Sequence, residues 1–133
     1  MKVVSAAFLG LSLIATPILA KPPLRDVPAI DDALFDLGVA DIIRKKCSTI
    51  DARMLRAIGY VRKLERRAKA LGYTEEEIEA YTDSERDKNR LRAKAASYFA
   101  ARGVDPEKPE SYCAVGREEI HKASRIGSLL RAK

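Results

Sequence analysis

At 133 residues, with 25 Lys+Arg against 19 Asp+Glu and a formal net charge of +6, the chain is small and basic. Its two cysteines cannot supply an iron–sulfur ligand set. Its single histidine, His121, stands without the partner motif of a metal site. No phosphate loop, Gly-x-Ser-x-Gly or His-Glu pair occurs, so no catalytic residue, cofactor or metal ligand is expected.

Residues 1–20 read as a signal peptide. Lys2 gives the positive start, Val3 to Ile14 is a nearly unbroken apolar run, and Pro17 precedes a cut expected after Ala20. The run is too short for a membrane span. The expectation is therefore an exported chain, periplasmic or secreted, with no integral span after cleavage. Residues 21–133 are expected to form a single helical domain. Removing the leader takes away only Lys2, so the net charge falls to +5.

Residues 21–29 hold three prolines in KPPLRDVP and predict an extended lead-in. A first helix is expected over Ile30–Lys46, with Asp31 or Asp32 as its cap. Leu34, Phe35, Leu37, Val39, Ile42 and Ile43 make it apolar on most sides, and Arg44, Lys45 and Lys46 suit its last turn.

The clearest element is Asp51–Leu71. Met54, Ala57, Ile58, Val61, Leu64, Ala68 and Leu71 recur at the helical period. Ser48 and Asp51 weakly suggest a capping box before it, and Gly72 stops it. This apolar stripe is expected to be covered by other helices, because it would otherwise form an exposed patch.

Thr74 with Glu77 makes a capping box for a short helix, Glu75–Tyr81. Thr82 with Glu85 suggests a second box and a restart running to Arg102, stopped by Gly103. Pro106 and Pro109 open a last helical region through Tyr112 and Ile120, and Ser124–Arg131 reads as a short final helix or turn. No stretch alternates, so no strand is expected. The fold class is all-α, a small bundle of four or five helices.

Two cysteines in an exported chain most simply form one disulfide, Cys47–Cys113. Two buried thiols or pairing with another protein are the alternatives. Charge is segregated along the chain. Arg44 to Lys69 holds ten cations against Asp51 and Glu65, whereas Glu75 to Asp87 holds seven acids against Arg86. Arg53, Arg56, Tyr60, Lys63 and Arg67 share one stripe of the central stretch and form a candidate basic face. That face either meets an acidic protein partner or an anionic membrane surface, or folds onto the acidic segment 75–87. Nucleic acid is a poor candidate after export.

The segments KPPLRDVPAID, ADIIRKKC followed by ARMLRAI, LGYTEEEIEAY, and YCAVGREEI with IGSLLR together resemble a family of small exported alphaproteobacterial proteins classed as a domain of unknown function. The resemblance covers nearly all of residues 21–133, including the cysteine and glycine positions. It implies no catalytic residues. Names that some members borrow from respiratory NADH dehydrogenase subunits imply at most an accessory role beside such an enzyme. The leading expectation is a non-enzymatic binding or accessory protein of the envelope. The alternatives are a small enzyme or lysozyme-type inhibitor using Asp36, Asp41 or Glu118, and an acid-stress holdase.

Overall fold

The computed structural model describes residues 20–133; the expected signal peptide, apart from Ala20, lies outside the described residues. A 3-10 turn at Leu24–Asp26 interrupts the proline-rich lead-in and buries Leu24, so residues 21–29 are not simply extended. Pro28 then begins helix α1, Pro28–Lys46. Proline is tolerated there because a first-turn N–H has no helical acceptor. No side chain caps this end; Asp31 and Asp32 both lie within the helix.

Helix α1 is the centre of the fold. It buries Ile30, Asp31, Ala33, Asp36, Val39, Ala40 and Ile43, which point to more than one side, and Val39 and Ile43 are wholly enclosed. The remaining helices are α2 (Met54–Ala70), α3 (Glu75–Asp83), α4 (Glu85–Ala100), α5 (Ser111–His121) and the single turn α6 (Arg125–Ser128). That is six among the described residues, and α6 is the turn that exceeds the expected count.

Two short strands correct the expectation of none. β1 (Ile50–Ala52) pairs antiparallel with β2 (Leu130–Ala132), with Asp51 opposite Arg131. Ile50 and Leu130 are both buried, so the strands exist to seal one end of the core. Three residues are too few to show alternation, which is why the pattern gave no warning. The pairing moves the start of the central helix from Asp51 to Met54. Arg53 occupies the cap, and no side chain caps it, so the Ser48–Asp51 box does not form. The short final helix or turn expected over Ser124–Arg131 is present as α6, and the chain then continues as β2.

The Thr74–Glu77 box is present. Glu77 N–H donates to Thr74 Oγ1 at 3.2 Å, and Thr74 N–H donates to Glu77 Oε2 at 2.7 Å. The next break falls at Ser84 rather than Thr82: Ser84 Oγ accepts from Asp87 N–H at 3.2 Å and starts α4. Helix α4 ends at Ala100, just short of the expected Arg102.

Cys47 follows α1 directly, and its disulfide to Cys113 pins α5 to that end at a Cα separation of 5.1 Å. Closing a 66-residue separation stabilises the fold by about 4 kcal/mol on the chain-entropy argument. From Phe35 on α1, a chain of edge-to-face rings runs through Tyr98 and Phe99 to Tyr112, with centroids 5.8, 5.2 and 4.9 Å apart. Such contacts add to area burial and fix the approach of α4 and α5.

Gly127 sits where α6 crosses α5, and a Cβ there would collide with the backbone carbonyl of Glu119. Gly59, in the middle of α2, has nothing within 4 Å of the same position. Gly127→Ala should therefore destabilise the protein by about 3 kcal/mol, whereas Gly59→Ala should stabilise it by about 1 kcal/mol. Chemical denaturation of the two variants checks the contrast, and equal effects would contradict the placement of α6.

Candidate functional site

The central helix departs most from expectation. Only Ala68 of α2 is buried. Met54, Leu55, Ile58 and Val61 are 57, 88, 45 and 44% exposed, and Leu71 just beyond the helix is 48% exposed. The stripe predicted to be covered is open over much of its length. Ala57, Tyr60 and Leu64 form the partly buried inner line, with Ala68 completing it. Beside this line runs a groove of about 550 Å³ between α2 and the α3–α4 pair, floored by α1 and lined by Leu34, Leu37, Met54, Ala57, Thr82 and Leu91. Gly38 also lines it, and nothing lies within 4 Å of a Cβ placed there.

The five residues of the candidate basic face divide. Arg53 Nε donates to Leu130 O at 2.9 Å, and Arg56 Nη1 donates to Ser128 O at 3.1 Å. Tyr60 OH donates to Ala33 O at 3.4 Å. These three tie α2 to its own fold. Lys63 and Arg67 make no ion pair or side-chain hydrogen bond among the described residues, and neither do Arg62 and Arg66, which the sequence reading did not single out. The signal that could have found them is their spacing: Arg62 with Arg66, and Lys63 with Arg67, are like charges one turn apart.

The acidic segment does not fold onto the basic face. Glu77 pairs with Lys21 at 2.8 Å and Asp87 with Arg25 at 3.4 Å. Glu85 pairs with Lys88 at 3.1 Å. Only Lys69, on the other flank of α2, reaches this segment, at Glu75.

Carboxylates weighed for catalysis are scattered. Asp41 pairs with Arg44 and Lys45 at 2.6 Å each on the surface of α1. Glu118 is exposed on α5 and pairs with Lys122. Asp36 is buried, and Arg125 Nε stands 2.7 Å from its Oδ2, without the alignment of a hydrogen bond. His121 is exposed at the end of α5.

A buried polar network joins α1, α3 and α4. Tyr81 OH donates to Asp31 Oδ1 at 2.5 Å, and Arg90 Nη1 donates to Asp31 Oδ2 at 3.1 Å. Arg90 Nε also reaches Asp87 at 3.4 Å. A second network holds Glu119, which accepts from Tyr98 OH at 2.8 Å and from Ser124 Oγ. Each buried carboxylate in these networks is thus met by donors, as burial requires. They brace the helices; Tyr81 and Asp87 share the lining of the groove beside α2 with Asp41, and Glu118 lies outside it.

The chain belongs to a family of unknown function, DUF5333, whose sequence pattern matches residues 22–131. No curated protein and no solved structure matches the chain significantly.

The two buried aspartates of α1 respond to pH with opposite signs. Burial alone would raise the Asp31 carboxyl, but the hydrogen bonds from Arg90 and Tyr81 and the Arg90 and Lys94 charges outweigh it and hold the group below its ordinary value. A carboxyl depressed in the folded state contributes stability above its unfolded value of 3.8 and loses it as pH falls through the lower folded value. Asp36 is raised, chiefly by burial; Arg125 opposes the shift, while Asp32 and Glu119 add to it. It therefore costs stability at neutral pH, and that cost disappears as pH falls through its raised value. Asp31→Asn should lower stability by about 2 kcal/mol near neutral pH, less than for a fully buried pair because Arg90 is partly exposed. Asp36→Asn should leave neutral-pH stability unchanged or higher, with any gain shrinking toward about pH 4. Urea melts at both pH values check this, and a clear loss with Asp36→Asn would contradict it.

Proposed function

We propose that this chain is a non-enzymatic binding protein of the cell envelope that works through the open face of α2. One observation carries the reading: Met54, Leu55, Ile58 and Val61 project from a helix whose neighbours leave them 44 to 88% exposed. Large apolar side chains grouped on one exposed helix face mark an interaction surface more often than an accident of folding. The unpaired cations of the same helix give that surface a sign, which favours an anionic counterpart.

Location in the envelope is supported by the apolar leader in the sequence and by the disulfide, which persists in oxidising compartments. An accessory role beside a larger envelope assembly is the most economical form of this reading, since a binding surface needs no chemistry of its own.

Because the side chains concerned are exposed, their replacement separates binding from folding. Leu55→Asp combined with Ile58→Asp should keep the melting temperature within a few degrees of wild type, as expected for surface positions. Gentle extraction of envelopes, followed by size separation, should find the wild-type chain in particles much larger than its 14.7 kDa. The double variant should run as the free chain. Wild type running as the free chain, or both behaving alike, would overturn the reading.

A further inference from the structure

The middle of α2 carries charge that folding does not use. Arg62, Lys63, Arg66 and Arg67 place four cations within six residues. Arg62 faces Arg66, and Lys63 faces Arg67, one turn along, which is a repulsive arrangement in a helix. No carboxylate pairs with any of the four among the described residues. Helix α3, which begins Glu75-Glu76-Glu77, comes next in the chain, yet its ion pairs run to Lys21 and Lys69. Glu65 lies three residues beyond Arg62, but its ion pair runs to Lys69, at 2.7 Å.

The apolar and cationic residues are laid out together. Leu55, Ile58, Arg62, Arg66 and Lys69 follow at spacings of three and four, so they form one continuous ridge. Its first half is apolar and exposed, and its second half is cationic. Lys63 and Arg67 lie on an adjacent ridge. The four unpaired cations thus wrap two ridges, while the apolar groups stand proud between them and the groove.

This layout suits a plane better than a point. An acidic protein would have to present carboxylates to both ridges at once and an apolar hollow to Leu55. A bilayer surface does this without shape matching: long Lys and Arg side chains reach headgroup phosphates from either flank, while the apolar residues enter the boundary below. A polar helix with a strongly one-sided apolar face is the form that lies flat in such an interface. Among the described residues no helix is long and apolar enough to cross a membrane, so contact would be peripheral.

We infer that α2 seats the protein on an anionic lipid surface, with Leu55 and Ile58 entering the headgroup boundary and Arg62, Lys63, Arg66 and Arg67 meeting lipid phosphates. The inference rests on α2 being the binding surface, as proposed above, and names what it binds.

The chain contains no tryptophan, so one can be introduced as the sole indole reporter. Leu55 is 88% exposed, and Ala93 is exposed on α4, so Leu55→Trp and Ala93→Trp should both fold. Full-length protein is mixed with vesicles of phosphatidylcholine containing roughly one-third phosphatidylglycerol, and with phosphatidylcholine alone. Any contribution from residues 1–19 is common to both reporters and cancels in their difference. The Leu55→Trp emission should shift to the blue on the anionic vesicles only, and the shift should weaken as salt shortens the screening length. Adding Arg62→Gln and Arg66→Gln should lower the vesicle affinity at least roughly tenfold, since each surface cation contributes on its own.

An unmoved Leu55→Trp emission, an equal shift on neutral vesicles, or an equal shift at Ala93→Trp would overturn the lipid inference. If the Leu55/Ile58 aspartate variant still lost its large envelope particles in that case, α2 would remain the binding surface and its partner would be an acidic protein. Loss of both effects would remove the binding reading as well.

Discussion

The constraint on which the structure depends is that α1 must be covered on more than one side. Its buried residues include Ile30, Val39 and Ile43 but also Asp31 and Asp36, so no single partner helix could enclose it. The covering is shared by α4, α5, α6, α2, β1 and the turn at Leu24–Asp26, all of which touch α1. Cys47 places the disulfide at the end of this helix, and Tyr81 and Arg90 clasp Asp31 near its start. Staple and clasp therefore hold opposite ends of the same element. The clasp is specific as well as costly: a buried carboxylate tolerates only arrangements that bring it donors, which fixes α3 and α4 against α1.

Helix α2 stands outside that system. Its start is held by β1 and by Arg53 and Arg56, which donate to carbonyls near the C-terminal strand. Its end is held by buried Ala68 and by the turn through Gly72 and Tyr73, where Tyr73 N–H donates to Ala68 O. Gly72 adopts φ of +90°, a conformation glycine enters without a Cβ clash. Between these ties, contact with α1 comes mainly from Ala57, Tyr60 and Leu64. The same looseness that leaves a groove beside α2 leaves its outer face free to meet something else. The functional reading is thus a consequence of how α1 is packed, not an addition to it.

Much of this was legible in residues alone. Helix boundaries followed the capping box at Thr74 and the stop at Gly72 because those signals are local. The Cys47–Cys113 bridge followed from arithmetic with only two cysteines. What misled was the assumption that a regular apolar stripe is a buried one. Periodicity reports that Met54, Ile58 and Val61 share a side; it does not report whether that side faces protein. The more deeply buried helix was α1, whose apolar residues point several ways and give no clean stripe. The strands were hidden because pairing of Ile50–Ala52 with Leu130–Ala132 is a long-range event with no local signature. Among the cations, Arg53 and Arg56 read from sequence like Arg62 and Arg66; only the positions of the Leu130 and Ser128 carbonyls tell them apart.

Amide hydrogen exchange tests the central claim most directly, because local protection reports how firmly each segment is enclosed. The account predicts that amides of Val39 to Ile43 exchange only with global unfolding, while those in the middle of α2, from Ile58 to Arg66, exchange markedly faster. Equal protection in the two helices would contradict it, since α2 would then be as fully enclosed as α1 and would have no open face to offer.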